Sequence, residues 1–345
     1  VINESNCMNN LSNLQTDFQL SPPTASDIPE LVALHNKCWR ALSGNDVMTE
    51  AILRSEWESP DFDPERDNRV AISVTGQIIG MAAIHARPPY VNYYSDVQVD
   101  PEWQRRGIGS TLNQWIETSC AARLAEAPAE ARVQVNGNVL STHAAARELL
   151  LDQGYVHTRS FYEMDIVLTA QPEAPAFPEG IALKPFNPES DRETAYRAHQ
   201  DAFRDHYGHV ETSFEQGFPL WWHHMTEHPH YDPATFFLAM DGNEIAGYIF
   251  CYPQDYEFAD MAWIDSLGVS RPWRNRGLGV ALLRHVFGEM YRRGQKRVGL
   301  AVDADSLTGA TRLYEKAGMK TFRQFNRYSK EIRPGKDLTT QEVTT

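Results

Sequence analysis

The sequence predicts an α/β fold in which two similar domains follow one another, each an α+β arrangement around a mixed sheet. The main observation is a repeat at long period, because three segments recur in the same order in both halves of the chain. The pairs are 69–84 with 235–250, 97–109 with 267–279, and 148–155 with 312–319. The second observation is that strand-like and helix-like apolar patterns alternate within each half. Three matches in one order indicate a duplicated domain.

The predicted elements of each half are, in order, a strand, helices, a hairpin, a strand, a Gly-containing loop, a helix, a strand, a helix and a strand. The hairpins are predicted from apolar runs around the turns at 75–77 and 241–242. The helix after each loop is predicted from apolar residues at helical spacing, which are Ile108, Leu112, Trp115 and Ile116 in the first half and Leu278, Leu282, Leu283, Val286, Phe287 and Met290 in the second. A strand at 297–302 and a helix ended by Gly318 complete the second half.

Domain boundaries are predicted from local composition. Residues 1–17 are polar, rich in asparagine and unlike a secretory signal, so they are predicted to be a disordered tail. The domains are predicted at 18–168 and 181–333. Between them, 169–180 contains several prolines and no apolar periodicity, which is typical of a linker. The polar segment 334–345 is predicted to be a second disordered tail.

Composition restricts the class of protein. The chain has 345 residues, of which 42% are hydrophobic and 23% charged, as expected for a globular protein with a core. The formal net charge of -14 disfavours nucleic acid and anionic membranes as partners and favours a cationic substrate. No apolar run is long enough to cross a membrane, and the cysteines show no paired spacing, so we expect a cytoplasmic protein with reduced thiols. Both a monomer and a homodimer fit the sequence.

An anion-binding loop is predicted at 274–279, RNRGLG, and at its repeat 104–109, QRRGIG. Each lies between an apolar strand and an amphipathic helix, where free backbone N–H groups and the helix dipole bind phosphate oxygens. Gly277 and Gly279 are expected to let a ligand approach the backbone closely. Positive charge beside the loop is expected from Arg271, Arg274 and Arg276.

Three other interpretations of this loop compete with anion binding. A tight Gly-rich turn that binds nothing fits the loop taken alone. A dinucleotide-binding fingerprint, and with it a nucleotide oxidoreductase, requires a third glycine where Leu112 and Leu282 stand. A Walker phosphate loop requires a Gly-Lys-Ser/Thr sequence, which the chain does not have at this position.

The motifs together resemble the GNAT superfamily of acyl-CoA N-acyltransferases. The resemblance rests on the loop, on the strand sequence LGV at 267–269 before it and on RLYEKAG at 312–318 after it, and it covers 18–168 and 181–333. Two such modules in one chain also resemble tandem bacterial acetyltransferases of the mycothiol synthase type. The resemblance implies acetyl-CoA as co-substrate, a primary amine of a small molecule as acceptor and no metal.

The resemblance also implies two sets of residues that bind the co-substrate. Backbone groups of one strand would pair with the pantetheine amides, and N–H groups of the loop would hold the pyrophosphate. In the C-terminal domain these residues are Leu267, Val269, Arg274, Asn275, Arg276, Gly277, Leu278, Gly279 and Val280. In the N-terminal domain they are Val97, Val99, Gln104, Arg105, Arg106, Gly107, Ile108, Gly109 and Ser110.

Tyr314 is the predicted general acid, since it falls on the helix where the family often places one. A phenol stays protonated at neutral pH and can donate a proton to the departing thiolate. Leu150 stands at the matching position of the first domain and cannot donate a proton. We therefore expect the C-terminal domain to carry the chemistry, while the N-terminal domain binds CoA with little or no turnover. A substitute acid there, Tyr155 or a water, is the alternative.

The general base is left open among several residues. The candidates are Asp265, on the strand that leads into the loop, and His206, His209 or Glu211 in the segment that the family uses to enclose the acceptor. An imidazole has a pKa near the working pH. The amine can also lose its proton through a chain of waters, which requires no single base.

Two further features have alternative interpretations. Histidines crowd the region 206–230, but no metal-binding motif accompanies them, so acceptor-pocket or surface roles are preferred to a metal site. The aromatic residues of the same region fit either a core or a pocket that stacks on the acceptor. A non-catalytic acyl-CoA-binding protein is the rival function; the degenerate first half favours it and Tyr314 argues against it.

Overall fold

The N-terminal half follows the predicted order of elements in the computed structural model, which describes residues 17–341. Its strands are β1 (Phe18–Ser21), β2 (Asn68–Ser73), β3 (Ile78–Ala86), β4 (Asn92–Val99), β5 (Val133–Leu140) and β6 (Val156–Val167). Its helices are α1 (Ile28–Ser43), α2 (Glu50–Trp57), α3 (Pro64–Asp67), α4 (Ile108–Ala122) and α5 (Ala144–Asp152). The apolar face predicted for the helix after the loop is the buried face of α4, with Ile108, Leu112 and Ile116 in the core.

The C-terminal half repeats this order. Its strands are β7 (Ile181–Pro185), β8 (Phe236–Asp241), β9 (Glu244–Tyr252), β10 (Met261–Val269), β11 (Arg297–Asp303) and β12 (Lys320–Arg333). Its helices are α6 (Arg192–Phe203), α7 (Phe214–Thr226), α8 (Leu278–Arg292) and α9 (Ala310–Lys316). All six apolar residues predicted to face the core from α8 are buried. Gly318, just beyond α9, has a φ of 96°, as expected for a glycine that ends a helix.

The described strands form one continuous mixed sheet of twelve strands, which confirms the predicted fold class. The order is β1-β2-β3-β4-β5-β12-β6-β11-β10-β9-β8-β7. Only β4 with β5 and β10 with β11 are parallel; the other pairs within residues 17–341 are antiparallel.

The last strand of each half lies against the other half. β12 is inserted between β5 and β6, and β6 in turn pairs with β11 from Val167 opposite Arg297 to Phe161 opposite Asp303. The predicted segments 18–168 and 181–333 are therefore repeats in sequence, but they exchange their last strands, β6 and β12, within one sheet. The sequence alone does not predict this exchange.

We expect a fragment of residues 181–345, produced alone, to lack a cooperative unfolding transition. Without the first half, β12 loses both neighbouring strands and β11 loses one edge, so long rows of backbone N–H and C=O groups stay unpaired. Circular dichroism during heating and gel filtration measure this. Co-expression of 17–180 with 181–345 should restore a one-to-one complex. A monomeric 181–345 fragment that melts cooperatively contradicts the prediction.

The prediction of a disordered segment at 334–345 is wrong for residues 334–341, while 342–345 lie outside the described residues. Asp337 forms an ion pair with Arg132, with Nη2 and Oδ2 2.7 Å apart. Farther along, Thr340 exchanges backbone hydrogen bonds of 2.9 Å with Gly208 and His209. Polar composition did not identify these contacts because the partners are distant in sequence.

The segment predicted as a linker, 169–180, forms neither helix nor strand. Phe177 nevertheless packs against the core of the C-terminal half. Residues 1–16 of the first predicted tail, with Cys7, lie outside the described residues, whereas Cys38, Cys120 and Cys251 are buried free thiols. None of the helices formed by residues 17–341 is long and apolar enough to span a bilayer.

Candidate active site

The two parallel strands of each half separate part-way along their length. β10 pairs with β11 only as far as Ile264 and Leu300, although β10 continues to Val269. β4 and β5 separate in the same way after Ser95 and Gly137. Each half therefore contains a V-shaped cleft, bordered by strand edges whose backbone groups have no partner strand.

The edge of β10 presents Leu267 and Val269 to its cleft. Just past the strand, the N–H of Ser270 donates to the carbonyl of Ala246 in β9 at 3.0 Å. Because alternate residues of a strand turn their backbone groups to the same side, Gly268 and Ser270 face β9 and the two predicted residues face away from it. Their backbone is thus oriented to pair with an extended ligand.

One carbonyl on each cleft edge already accepts a hydrogen bond. Arg274 Nε donates to the Val269 carbonyl at 3.0 Å, and Cys38 Sγ donates to the Val99 carbonyl at 3.3 Å. The alternation along β4 turns Val97 and Val99 toward the first cleft, as it does for their counterparts. On both edges, therefore, the second predicted residue has an engaged carbonyl.

The two predicted anion loops have the same backbone conformation. Asn275 and Gly277 have φ angles of 62° and 85°, and the matching Arg105 and Gly107 have 61° and 83°. Each glycine directly precedes its helix, α8 or α4, and the first N–H bonded within α8 is that of Ala281, which donates to Gly277 O at 3.1 Å. The preceding N–H groups of α8 have no acceptor inside the helix. Together they form a site that fits a pyrophosphate.

The second glycine of each loop lies where two helices pack together. A Cβ on Gly279 would lie 3.1 Å from Leu313 on α9, and one on Gly109 would lie 3.0 Å from Leu149 on α5. The absence of a Cβ at both glycines thus leaves room for a close contact between two helices. Around Gly277, by contrast, no atom lies within 4 Å of the position that a Cβ would take, so that side of the loop is open.

The prediction that Arg271 and Arg274 add charge beside the pyrophosphate needs correction. Both bind the carboxylate of Asp205, whose side chain is 1% exposed, and Arg274 Nη2 also donates to the carbonyl of Ala202 at 3.3 Å. Asp205 lies just after α6, so these arginines fix the loop to that helix. Arg276 remains the predicted cation of the loop.

Tyr314 lies on α9 with its ring in the core of the C-terminal half. Its side chain is 8% exposed, and burial raises its pKa to about 12, so the hydroxyl carries its proton at neutral pH. Leu150 occupies the corresponding place on α5 and is buried in the first core. The two halves thus differ at this position, with a protonated phenol on α9 and an aliphatic side chain on α5.

A second asymmetry lies in the strands that border the clefts. The pairing of β10 with β9 shifts register between Ile264 and Ser266, so Asp265 is an extra, bulged residue. The pairing of β4 with β3 runs without a shift from Tyr93 to Val99. The bulge turns the carboxylate of Asp265 toward α7. β4 has no such bulge between Tyr93 and Val99.

Asp265 lies beside His224 of α7, with Oδ1 and Nε2 3.5 Å apart. Burial would raise the pKa of Asp265, but the hydrogen bond and charge of His224, together with His199, hold it below its usual range. Asp265 is therefore ionised at neutral pH. This pair of a carboxylate and an imidazole resembles the arrangement by which a carboxylate orients a histidine that accepts a proton.

His199 and Tyr248 form a hydrogen-bonded pair near Asp265, and no sequence motif selects either of them. His199 Nδ1 and the Tyr248 hydroxyl are 2.8 Å apart. Burial lowers the pKa of His199 to about 4, although Asp265 opposes the shift, so the ring is neutral at pH 7. Burial, Asp265 and the Tyr314 hydroxyl raise the pKa of Tyr248 above its ordinary value.

Two other predicted bases lie elsewhere. His206 packs against Phe203 with their rings tilted and the ring centroids 4.2 Å apart, and burial together with the charge of Arg274 lowers the pKa of His206 to about 4. Glu211 is 77% exposed and pairs with Arg204. The structure therefore groups Asp265 with histidines of α6 and α7, and it leaves Glu211 in solvent.

The crowded histidines of this region have different partners. His228 stacks on Tyr252 with ring centroids 3.6 Å apart, and His223 faces the backbone of Ser55. Among residues 17–341, no three His, Cys, Asp or Glu side chains are placed to hold a metal ion.

A cavity of about 600 Å³ lies between the two halves. One side is formed by the N-terminal segment 85–94, and the other by α6, α7 and the loop before α7. Trp221 lines it, and its indole Nε1 is buried without a hydrogen-bond partner among the described residues. His224 follows Trp221 by almost one turn of α7, and its side chain is 56% exposed.

The model of the Acetyltransferase (GNAT) family matches the chain twice, at residues 28–149 and 192–319. The chain belongs to the GNAT acetyltransferase family. Each match includes one cleft and one anion loop, so the predicted tandem arrangement is confirmed. The protein is accordingly an acyl-CoA-dependent acetyltransferase.

Several curated relatives of this GNAT protein are mycothiol acetyltransferases. That of Streptomyces scabiei is 29% identical over 255 residues, which is 73% of this chain and 76% of the relative. That of Thermobispora bispora is 30% identical over 226 residues, which is 65% of this chain and 71% of the relative. These similarities extend across both halves.

Solved structures have the same tandem architecture. A GCN5-related N-acetyltransferase from Sphaerobacter thermophilus is 34% identical with a TM-score of 0.76, and the alignment covers 94% of this chain and 99% of that one. A tandem GNAT protein from the clavulanic acid biosynthesis pathway has a TM-score of 0.67 at 15% identity, covering 92% and 100%. The second similarity concerns the fold alone.

The His199–Tyr248 pair of this GNAT protein was not predicted from sequence, although one signal was available. His199 and His35 are separated by 164 residues, the same offset as Gly318 and Gly154. His35 also lies beside a carboxylate in its half, with Nε2 3.8 Å from Asp96 Oδ2. A histidine repeated at the period of the duplication therefore marks the helix that faces each cleft.

Proposed function

We propose that the C-terminal half transfers the acetyl group of acetyl-CoA to a primary amine of a small molecule. The observation that carries this proposal is the difference between the two clefts. Both have splayed strands and an anion loop, but only the second has a phenol, Tyr314, where the first has Leu150. It also has a bulged carboxylate at Asp265.

The C-terminal cleft would bind acetyl-CoA through backbone groups. The N–H groups at the start of α8 would hold the pyrophosphate, and the free edge of β10 would align the pantetheine arm. The predicted loop set from Arg274 to Val280 remains our proposal for this role, with the Arg274 side chain acting through Asp205. When bound, acetyl-CoA supplies the activated acyl group.

Two side-chain groups would move the protons of the reaction. The amine nitrogen attacks the thioester carbonyl carbon, and the bond from that carbon to sulfur breaks. The His224 imidazole, oriented by Asp265, accepts the proton that the amine loses. Tyr314 donates its proton to the departing sulfur. Proton transfers of this kind are worth about 100-fold to 10,000-fold in rate each.

The N-terminal half would bind acetyl-CoA without turnover. Its loop has the same backbone conformation as the second loop, which supports the predicted set from Gln104 to Ser110 as a second binding site. Leu150 cannot protonate a thiolate, so we propose no acyl transfer there.

The acceptor would enter the cavity between the halves. The specific hypothesis for the acceptor is deacetylated mycothiol, since the relatives named above are mycothiol acetyltransferases. The test is CoA release measured with a panel of primary amines that includes deacetylated mycothiol. Rapid release with at least one amine, and none with the matching alcohols, is expected. No release with any amine despite tight acetyl-CoA binding contradicts the proposal and favours a non-catalytic acyl-CoA-binding protein.

The Asp265→Asn variant is expected to lower kcat/KM by about the same factor from about pH 5 to about pH 9, roughly tenfold or more. The pKa of Asp265 is held below its usual range, so the carboxylate is ionised above that value and its contribution is lost only at lower pH. Removing it therefore lowers the whole profile. Initial rates across pH, with acetyl-CoA saturating, measure the effect. An acid limb that moves while the plateau keeps its height contradicts this role.

A further inference from the structure

We propose that Arg159, a residue of the N-terminal half, is a positioning residue for acetyl transfer in the C-terminal half. It acts on the segment 204–212, here called the wall loop, which joins α6 to α7 and supplies Gly208, His209 and Thr212 to the cavity between the halves. The inference rests on the proposed function, because the wall loop encloses the proposed acceptor site.

Arg159 is anchored at the open end of the C-terminal cleft. It lies on β6, and its guanidinium forms a two-pronged ion pair with Asp303 at the end of β11, with Nε–Oδ1 and Nη2–Oδ2 distances of 2.9 and 2.8 Å. Nη2 also donates to the carbonyl of Asp305 at 2.7 Å. The side chain is 13% exposed. Arg159 thus holds the end of β11 and the turn that leads to α9, the helix of Tyr314.

The same guanidinium supports the wall loop. Its Cζ lies 4.0 Å from the centre of the Tyr207 ring, the closest cation–aromatic contact among the described residues. A guanidinium already paired with a carboxylate still presents its flat face to an aromatic ring. One side chain therefore connects the end of β11, the approach to α9 and the wall of the acceptor cavity.

Residues of the N-terminal half and of the C-terminal segment also contact the wall loop. Val210 packs with Leu338 against the core of the N-terminal half. Thr340 pairs with Gly208 and His209 through two backbone hydrogen bonds of 2.9 Å. The exposed ion pair of Arg204 with Glu211, within the loop, adds little. Asp205, at the start of the wall loop, is held within the C-terminal half by Arg271 and Arg274. The rest of the loop is positioned in addition by the first half and by the C-terminal segment.

The sequence repeat argues that this role is specific to one cleft. Arg323 stands 164 residues after Arg159, the offset at which β12 repeats β6. It binds Glu163 and Glu257 instead, at 2.5 and 2.6 Å. The matching end of β5 is apolar, with Val139 followed by Leu140, so it offers no carboxylate. Among the described residues, only the cleft that contains Tyr314 has a strand-end carboxylate tied to the opposite half.

The test compares Arg159→Met with Arg297→Met in the full chain. Arg297 pairs with Asp165 at 2.6 Å across the other end of the same two strands, so it is a matched control for loss of a partly buried ion pair away from the wall loop. Arg159→Lys keeps the positive charge but loses both the two-pronged hydrogen bonding and the planar face of the guanidinium. Hydrogen–deuterium exchange of 204–212 is measured without ligand. Kinetics then use the best amine of the panel.

Arg159→Met is expected to speed exchange of the wall loop at least about tenfold and to raise the acceptor KM at least about tenfold, with the acetyl-CoA Kd changed less than about twofold. Arg297→Met should change neither, and Arg159→Lys should lie between. If Arg159→Met unfolds, Arg159→Lys carries the comparison.

Equal wall-loop exchange in Arg159→Met and Arg297→Met overturns the inference. So does faster exchange with unchanged acceptor KM and kcat, because the loop would then be irrelevant to the acceptor. If wild-type protein acetylates no amine, the proposed function fails, while the exchange comparison still decides whether Arg159 holds the wall loop.

Discussion

Gly277→Glu is expected to abolish acetyl transfer and to weaken acetyl-CoA binding in the C-terminal cleft at least about 100-fold. Gly277 has a φ of 85° and ends the loop at the start of α8. A side chain in this left-handed conformation costs roughly 1–2 kcal/mol. The added carboxylate would also lie where unpaired N–H groups and the helix dipole attract phosphate, so it opposes the ligand's charge directly.

Gly107→Glu is the matched control, because the N-terminal loop has the same geometry. Gly107 has a φ of 83°, and, as at Gly277, no atom lies within 4 Å of the position that a Cβ would take. Both variants therefore suffer similar backbone strain and similar repulsion. Calorimetric titration should find two acetyl-CoA sites in wild-type protein and one in each variant, and only Gly277→Glu should lose CoA release.

The comparison separates three outcomes. Loss of turnover in Gly107→Glu with retention in Gly277→Glu contradicts catalysis by the C-terminal half. A wild-type stoichiometry of one that Gly277→Glu removes contradicts binding in the N-terminal half and leaves the catalytic assignment intact. Unchanged affinity in both variants contradicts the whole assignment of these loops to a pyrophosphate.

The fold was predictable to the extent that its signals are local. Hairpins, helices and the Gly-containing loops are encoded within short windows, and duplication presents each signal twice. The exchange of β6 and β12 was not predictable, because both strands repeat one pattern and antiparallel pairing is made by backbone groups that every residue carries. Which strand pairs with β5 and which with β11 depends on contacts across more than half of the chain.

The candidate site, too, was predictable only where its signals are local. The loop and Tyr314 could be proposed from sequence because each belongs to a contiguous motif. The Arg274 side chain was assigned to phosphate because its partner, Asp205, is 69 residues away and carries no motif. Asp265 was selected for its strand, but only the bulge explains how its carboxylate reaches His224. The C-terminal end of the described chain shows the limit of composition, since its polar residues are held by the ion pair of Asp337 with Arg132 and by backbone hydrogen bonds of Thr340.

Tyr314→Phe is expected to lower kcat about 100-fold to 10,000-fold, the usual worth of a proton donor, with little change in the acetyl-CoA Kd. Phenylalanine keeps the ring that fills the core between α9 and the sheet, so packing is preserved and only the hydroxyl is lost. Burial raises the pKa of Tyr314 to about 12. The donor is therefore fully protonated from about pH 5 to about pH 9, and the loss should be uniform over that range.

Tyr248→Phe distinguishes proton donation from support of the surrounding hydrogen bonds. Tyr248 is also a buried tyrosine of the C-terminal half, and its hydroxyl lies 2.8 Å from Nδ1 of His199. If Tyr314 protonates the departing sulfur, its removal should affect kcat far more than removal of the Tyr248 hydroxyl does. Steady-state kinetics with a saturating amine, beside calorimetric binding of acetyl-CoA, make the comparison. Equal losses of kcat in both variants would mean that Tyr314 supports the hydrogen bonds around His199 rather than donating a proton. An unchanged kcat in Tyr314→Phe would mean that the thiolate takes its proton from water. In that case Leu150 would no longer explain an inactive first half.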